Sequence, residues 1–530
     1  MKKLPLSKQF FDVLIRENCV YVDKTEKIYQ LISQYERNAF YFLARPRRFG
    51  KSLLLSTLSH VFRGHRGLFQ GLWIEDKLPW DTYPFPVIQI DFNTIDYINK
   101  DLNQMLCLSL DQMAEGYEVQ LSTNSSKNKF IELIEKLYQK TDRPVVVLID
   151  EYDKPLTRLF GANGEHLDKL KYHESILKSF YSTLKSRASQ YLKFTLITGV
   201  AKIGKLSIFS DLNHLVDISI SEEYATLLGY TQEELEHYFS DYIDQAATHN
   251  QISREDCLRE IKYWYDGYSW NGRDFLYNPF STLLFFSNME FNNYWFDTGT
   301  PSFLINLIKQ EKISPLDLED LLPASSSLVQ SNEINALEAL SLMYQTGYLT
   351  IRQKTLHRGI PHYQVGYPNE EVRQSMQKHL FVAYLNHRET TFKTVLLNQM
   401  QRALQQKDLD VFMDIFKTIF ATIPYELFIR EEIYYHSVAY LVLKLLDYPI
   451  QVEVQTQIGR IDAILQYENR VYILEFKMTT PEDALTQIHQ RQYYQRFANQ
   501  GKEIYLVGVA FDHEQKNLGE WKVEIWEGGK

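Results

Sequence analysis

Two groups of residues in this 530-residue chain have the types and spacing to handle phosphate. The first is Gly50-Lys51-Ser52, which follows the apolar run Phe40-Tyr41-Phe42-Leu43 and the basic turn Arg45-Pro46-Arg47-Arg48-Phe49, and leads into Leu53-Leu54-Leu55. Strand, turn and helix start in that order make a phosphate-cradling loop. Its backbone N–H groups wrap the phosphates, Lys51 reaches the β and γ oxygens, and the Ser52 hydroxyl ligates Mg²⁺. The opening Gly of the usual pattern is Arg45 here, and a Gly-Lys-Ser tripeptide arises by chance in many chains. The second half of the site removes the ambiguity. Pro144-Val145-Val146-Val147-Leu148-Ile149-Asp150-Glu151 reads as a buried strand ending in two carboxylates. Asp150 suits a metal-orienting role and Glu151 the activation of water. Together the pieces predict ATP binding.

The second group lies near the other end. Gly459-Arg460-Ile461-Asp462-Ala463-Ile464-Leu465 reads as one strand, Tyr467-Glu468-Asn469-Arg470 as a turn, and Val471-Tyr472-Ile473-Leu474-Glu475-Phe476-Lys477 as the returning strand. With a period of two, Asp462 shares a face with Arg460 and Ile464, and Glu475 shares one with Ile473 and Lys477. A hairpin brings Asp462 beside Glu475 with Lys477 next to them. Two carboxylates suit Mg²⁺, and an ammonium suits positioning of the attacking water or offsetting charge in phosphodiester hydrolysis. Upstream, Glu432 sits near the start of a helix whose stripe is Tyr435, Ala439, Val442 and Leu446. It either joins the cluster or, beside Glu431, complements the helix dipole. Downstream, Gln487 and Tyr493 follow the Glu-x-Lys strand. Gln487 either holds the phosphate or metal-bound water, or belongs to a solvated helix face.

The elements that position these groups are legible in outline. Residues 1–221 read as alternating strands and helices, with strands Phe40–Leu43, Phe85–Phe92, Val145–Ile149, Phe194–Thr198 and Val216–Ile220. Near-continuous apolar strands predict a parallel sheet covered on both faces. Residues 222–390 read as a helical lid and middle region with aromatic-rich connectors. Thr231-Gln232-Glu233-Glu234 is a capping box there, Asn278-Pro279 a helix start, and Pro323-Ala324-Ser325-Ser326-Ser327 a surface loop. Residues 391–530 read as leading helices followed by a helix, strand, hairpin, helix and strand. The size calls for more than one core.

Composition is globular, with 45% apolar and 23% charged residues. No run is apolar and long enough to span a bilayer, and the start at Met1-Lys2-Lys3 lacks the apolar centre of a secretory leader, so the expected location is the cytoplasm, with no membrane partner. Cys19, Cys107 and Cys257 suggest neither a disulfide framework nor a thiolate zinc site. A net charge of −10 argues against coating nucleic acid by bulk electrostatics, yet leaves a local basic cleft open.

The ordered series of motifs resembles a bacterial family that joins an AAA-like ATPase domain to a domain similar to the PD-(D/E)XK nuclease superfamily. The residues that carry the resemblance are Tyr21-Val22-Asp23-Lys24-Thr25, Arg45 to Ser52, Leu148 to Asp153, Thr198-Gly199-Val200, Phe209-Ser210-Asp211-Leu212-Asn213, Tyr265-Asp266-Gly267-Tyr268 with Tyr277 to Phe280, Gly459 to Asp462, and Glu475-Phe476-Lys477. The resemblance implies an α/β chain with a P-loop, AAA-like parallel-sheet ATPase domain and a C-terminal α/β restriction-endonuclease-like domain. It implies an extra strand between the phosphate-loop and Asp-Glu strands, and it makes Arg45 ordinary at the missing-Gly position. It places Asp23, Lys24 and Thr25 near the nucleotide along with Arg45, Phe49, Gly50, Lys51 and Ser52. Thr198 matches a γ-phosphate sensor or caps the next turn. Arg47 and Arg48 neutralise phosphate or brace the loop. No arginine is assignable as a finger between subunits, which leaves a homo-oligomer open. Asp462, Glu475 and Lys477 match the nuclease positions, with Arg460-Ile461-Asp462 in place of Pro-Asp.

The leading expectation is an ATPase using ATP and Mg²⁺ through Gly50, Lys51, Ser52, Asp150 and Glu151, joined to a Mg²⁺-dependent phosphodiesterase acting on DNA or RNA, in defence against mobile DNA or in DNA processing. Two rival readings keep the ATPase and drop the cleavage: a nucleotide-dependent switch whose C-terminal domain binds nucleic acid or a partner, and a remodelling ATPase with an adaptor domain.

Overall fold

A computed structural model describes the chain apart from residues 34–38, 158, 160–164, 203–207, 210–211, 213, 296–301, 312, 314, 316, 320–321, 325–338, 385–389, 422–431, 447–449, 457–458, 513, 516 and 527–530. The chain forms two compact units, one of residues Met1–Glu311 with Leu321–Arg373, the other of Lys312–Asp320 with Gln374–Lys530.

The first unit is built on β1 (Ala39–Ala44), β2 (Val87–Asp91), β3 (Val145–Asp150), β4 (Leu192–Gly199) and β5 (Val216–Asp217), in the order β2-β3-β4-β1-β5 and parallel throughout. Residue alternation accounts for the two cores. Val145, Val147 and Ile149 of β3 join Phe40, Phe42, Ile88 and Ile90 on one face. Val146 and Leu148 join Tyr41, Leu43, Phe194 and Leu196 on the other. Helix α1 (Lys51–Phe62) covers the second face through Leu54, Leu55, Leu58 and Val61. Helices α2 (Leu102–Gly116), α3 (Ser126–Thr141) and α4 (Glu165–Tyr181) cover the first. Strands buried on both sides need no polar face, which is why they read as unbroken apolar runs. The extra strand is β4, seated between β1 and β3. Register then aligns the carboxyl ends: Leu43 pairs with Thr198, Ala44 with Gly199, Ile149 with Ile197 and Asp91 with Asp150. Ligands of open parallel sheets bind beyond this edge.

Four helices follow: α5 (Gln232–Tyr238), α6 (Ser240–His249), α7 (Arg254–Tyr265) and α8 (Pro279–Asn288). The Thr231 capping box forms as expected, and the Asn278 side chain accepts from the N–H groups of Phe280 and Ser281, with Pro279 at the first helical position. Their apolar faces share a core with Val20 and Val22 of the N-terminal segment.

The middle region is not helical throughout. Strands β6 (Leu322–Ala324), β7 (Thr350–His357) and β8 (Ile360–Gly366) form an antiparallel sheet in the order β6-β8-β7. The expected loop at Pro323-Ala324 is therefore a short edge strand pairing with β8, where a proline is tolerated, while Ser325–Ser327 lie outside the described residues.

In the second unit, β9 (Ile450–Thr456), β10 (Gly459–Tyr467), β11 (Arg470–Lys477), β12 (Glu503–Asp512) and β13 (Asn517–Trp526) form a mixed sheet in the order β13-β12-β11-β10-β9. β11 and β12 are parallel; every other neighbouring pair is antiparallel. Helices α9 (Leu409–Ala421) and α10 (Glu432–Lys444) precede the sheet, and α11 (Pro481–Gln490) crosses from β11 to β12. Ile464, Val471 and Ile473 pack against Leu485 and Ile488 of α11 on one face. On the other, Phe416 of α9 meets Phe476, which stacks on Phe511. Among the described residues no helix is long and apolar enough to cross a membrane. The three cysteines are free and buried.

Candidate phosphate-handling sites

The first site forms where α1 leaves β1 and β3 ends. Gly50, at φ +93°, caps α1 in a left-handed conformation that L side chains rarely adopt, so the turn aims the first helical N–H groups outward. Lys51, almost fully buried, donates from Nζ to the carbonyls of Arg45 and Pro46 at 3.0 and 3.1 Å and stands 3.7 Å from Glu151. The Ser52 hydroxyl donates to Asp150 Oδ2 at 2.5 Å, and the Thr198 hydroxyl to Asp150 Oδ1 at 2.6 Å. Burial pushes the Asp150 carboxyl up, opposed by those two hydroxyls and the Lys51 ammonium. The motif residues quoted from distant stretches thus meet at one carboxylate. Glu151 sits just beyond, with φ +55°, its side chain at the edge of a cavity of about 960 Å³.

That cavity is lined mainly by positive charge. Its described lining includes Lys8, Lys24, Arg47, Arg48, Lys51 and Lys154 against only two carboxylates, Asp91 and Glu151, in a chain whose net charge is −10. Arg47 and Arg48 are exposed, and the Arg48 guanidinium lies 4.9 Å from the Phe280 ring centroid of α8. Phe49 turns inward, with its ring centroid 4.8 Å from Tyr268 and 5.3 Å from Trp270. Lys24 lines the cavity but its ammonium already bonds Thr226 O and Glu234.

Arg45, Asp23 and Thr25, expected near the nucleotide, are not part of this cavity's described lining. The Arg45 guanidinium points back over the end of β5, donates to the carbonyls of Ala44, Ser219 and Tyr224, and rests 4.0 Å from the Trp270 centroid. Burial lowers it to about 10. It ties the chain after β5 to the root of the phosphate loop instead of lining the cavity. Asp23 accepts from the N–H groups of Thr25 and Trp73, and Thr25 accepts from Ile74, so both fasten the helix Thr25–Ser33. Thr198 is fully buried against Asp150 and the Ile149 carbonyl.

The second site sits on β10 and β11. Ala463 pairs with Leu474, so Asp462 stands opposite Glu475 one step toward the open end. Asp462 Oδ2 accepts from Phe476 N at 2.8 Å. Glu475 is buried; its Oε1 accepts from Lys477 Nζ at 3.3 Å and from the Gln487 amide of α11, and Gln487 also lies 3.5 Å from the Tyr493 hydroxyl. Glu475 Oε2 is buried with no hydrogen-bond partner among the described residues. Burial, and then the neighbouring Asp462 charge, push the Glu475 carboxyl up to about 7. A buried, unsatisfied carboxylate oxygen beside a second carboxylate is a costly arrangement that a cation relieves. Among the described residues there is no cluster of three or more His, Cys, Asp or Glu able to hold a metal. Two carboxylates suffice for Mg²⁺, which keeps several waters. Glu432 opens α10, but its side chain lies outside the described residues.

The family profile described as predicted AAA-ATPase matches residues 5–209, and that of the PD-(D/E)XK nuclease superfamily matches residues 430–521. The chain is also 34% identical over 539 residues, covering 99% of each chain, to the "uncharacterized protein in vnfD 5'region" of Azotobacter chroococcum mcd 1. The chain belongs to this family of AAA-ATPase-like proteins with a PD-(D/E)XK superfamily domain.

Two features of this AAA-ATPase-like protein escaped sequence reasoning. Asp153 is buried and accepts from the N–H groups of Val200 and Ala201 at 2.9 to 3.2 Å, fixing a loop that lines the cavity. Burial raises its carboxyl to about 6. Its place in Asp150-Glu151-Tyr152-Asp153 was a signal without a partner. Trp270 braces Arg45 and Phe49 from a segment whose only cue was an aromatic-rich turn.

Proposed function

We propose that this protein hydrolyses ATP in its first unit and cleaves nucleic-acid phosphodiesters in its second, acting in the cytoplasm. The observation that carries the nuclease half is the buried Glu475, with one oxygen held by Lys477 and Gln487 and the other unsatisfied beside Asp462. Asp462 and Glu475 would hold Mg²⁺, with Lys477 and Gln487 orienting the attacking water and the scissile phosphate, and Glu432 a further carboxylate at the start of α10. In the first unit, Ser52 and Asp150 would hold Mg²⁺, Lys51, Arg47 and Arg48 would bind the phosphates, and Glu151 would accept a proton from the attacking water. Thr198 acts through Asp150, fixing its orientation. Mg²⁺ held by these residues would supply charge neutralisation at the phosphoryl oxygens in both places.

Support for the ATPase half is the 2.5 Å Ser52–Asp150 contact, which joins two segments about a hundred residues apart in the arrangement Mg²⁺–nucleotide binding needs. A second reading, a nucleotide switch that binds without cutting, is favoured by one observation: the described residues offer only two carboxylates at the second site. The deciding experiment incubates the purified full chain with Mg²⁺ or Mn²⁺ and single- and double-stranded DNA and RNA, with and without ATP. Cleavage by the wild type, lost in Lys477→Ala with ATP turnover retained, is the expected result. Intact substrate in every condition alongside normal ATP turnover selects the switch.

A further inference from the structure

In a chain with 67 acidic residues, the 31 residues from Ala339 to Asn369 contain none. They include the β7–β8 ribbon, which carries Arg352, Lys354, His357, Arg358 and His362. The ribbon closes through Arg358-Gly359, at φ +52° and +80°, a two-residue turn whose positive angles match the right-handed twist of the strands and favour glycine at the second place. His357 pairs with Ile360 and Leu356 with Pro361, so the tip is fixed in register. Leu356 is 69% and Ile360 59% exposed, and the Arg358 side chain is exposed as well.

The root of the ribbon is anchored. Thr350 Oγ1 accepts from Ser269 N at 2.7 Å and Ile351 N donates to Ser269 O at 3.3 Å. Arg352 donates to Pro368 O, and Lys354 bonds Glu222. Ser269 lies between Tyr268 and Trp270, the two rings packed on Phe49 of the phosphate loop. The ribbon is thus anchored at its root next to the rings that pack on Phe49, and its tip segment carries a cation and two large apolar side chains with no carboxylate of its own.

We propose that this ribbon engages duplex DNA tip-first, with Arg358 on backbone phosphate and Leu356 and Ile360, which the register places on opposite faces of the ribbon, against the bases to either side of the inserted tip. The B-form major groove, about 12 Å wide, admits a two-stranded ribbon, whereas the A-form major groove of RNA is too narrow for side chains to read. Apolar side chains beside a cation are the means by which DNA-bending proteins wedge open base steps. The missing carboxylates matter because a polyanion repels them at close range. The proposal deepens the nucleic-acid reading of the function by giving the ATPase unit its own contact with the substrate, and through Phe49 a route by which nucleotide state reaches it.

The test measures binding of a fluorescently labelled DNA duplex to the full-length protein by anisotropy, in EDTA so that nothing is cut, across a salt series. Arg358→Glu should weaken binding by about tenfold and make the log-affinity against log-salt slope shallower by about one, the mark of a lost phosphate contact. The double variant Leu356→Ser with Ile360→Ser should weaken binding while leaving that slope unchanged. Both should keep wild-type ATP turnover measured without nucleic acid. Unchanged affinity and slope in both variants overturns the proposal. So does a loss confined to self-association in sedimentation, or to anionic vesicles, since the tip would then meet a second copy or a lipid surface. The outcome separates from the nuclease reading: if the wild type cuts no nucleic acid yet Arg358→Glu still weakens duplex binding, the ribbon assignment stands and the cleavage assignment falls.

Discussion

Replacing Glu475 by Gln tests the second site through its protonation. The carboxyl rises from its ordinary value of 4.5 to about 7, because burial and then Asp462 disfavour its charge. The folded state therefore binds this proton more tightly than the unfolded chain does. Stability from this group is greatest below about 4.5, falls as pH rises through the window up to about 7, and stays low above it. At 1.36 kcal/mol per unit, the full loss is about 3 kcal/mol. The Asp462 charge is part of the cause, so Asp462→Asn should flatten the slope too. Because the chain has two units, a single melting temperature is a poor probe. Hydrogen exchange over peptides from β10 and β11, corrected for intrinsic rates, reads the second unit alone. In EDTA, wild-type protection there should fall between pH 5 and pH 8, and Glu475→Gln should hold it nearly constant. Mg²⁺ or Mn²⁺ should restore wild-type protection at pH 8, do little at pH 5, and leave Glu475→Gln unchanged. An equal pH slope in wild type and variant, or a metal effect independent of pH, refutes the reasoning.

Lys51→Ala should abolish ATP turnover while leaving metal-dependent protection of β10 and β11 intact; undiminished hydrolysis in a phosphate-release assay removes the phosphate-loop assignment. Thr198→Val deletes one of the two hydroxyls donating to Asp150, and kcat for ATP should fall roughly ten- to a hundredfold with KM little changed. A change in KM alone would mean Thr198 binds substrate. Arg45→Met leaves the buried Ser219 carbonyl without its guanidinium donor, while the Tyr224 carbonyl keeps the Leu227 N–H; the loss costs about 1 to 3 kcal/mol in denaturant titrations of the first unit. Its folded fraction should bind a fluorescent ATP analogue with affinity within about threefold of wild type, since the guanidinium does not line the cavity. A large affinity loss with normal stability would restore Arg45 to the nucleotide site.

Much of the fold was legible because its signals are local. The apolar strands Phe40–Leu43 and Val145–Ile149, the Gly-Lys-Ser turn and the Tyr467–Arg470 hairpin each carry their own period or turn chemistry. Pairing Asp462 with Glu475 followed from counting residues around a two-residue turn. What stayed hidden depends on contacts far apart in sequence. Arg45 looked like a phosphate ligand because its partners, Ser219, Tyr224 and Trp270, lie some 174 to 225 residues away. Gln487 gained meaning only when α11 crossed from β11 to β12 and set its amide against Glu475. The β7–β8 ribbon was concealed by the aromatic-rich, helix-like texture around it, although its Arg358-Gly359 turn is a hairpin signal. Ser210, Asp211 and Asn213, part of the motif series, lie outside the described residues.

The central claim is that acidic side chains from distant segments gather divalent cations at two places. Anomalous diffraction from crystals grown with Mn²⁺ and a non-hydrolysable ATP analogue tests it directly. The account predicts one peak within about 2.5 Å of Ser52 Oγ or its water shell at Asp150, and another within that distance of Asp462 and Glu475. No peak beside Glu475 in protein that binds the nucleotide normally would contradict it.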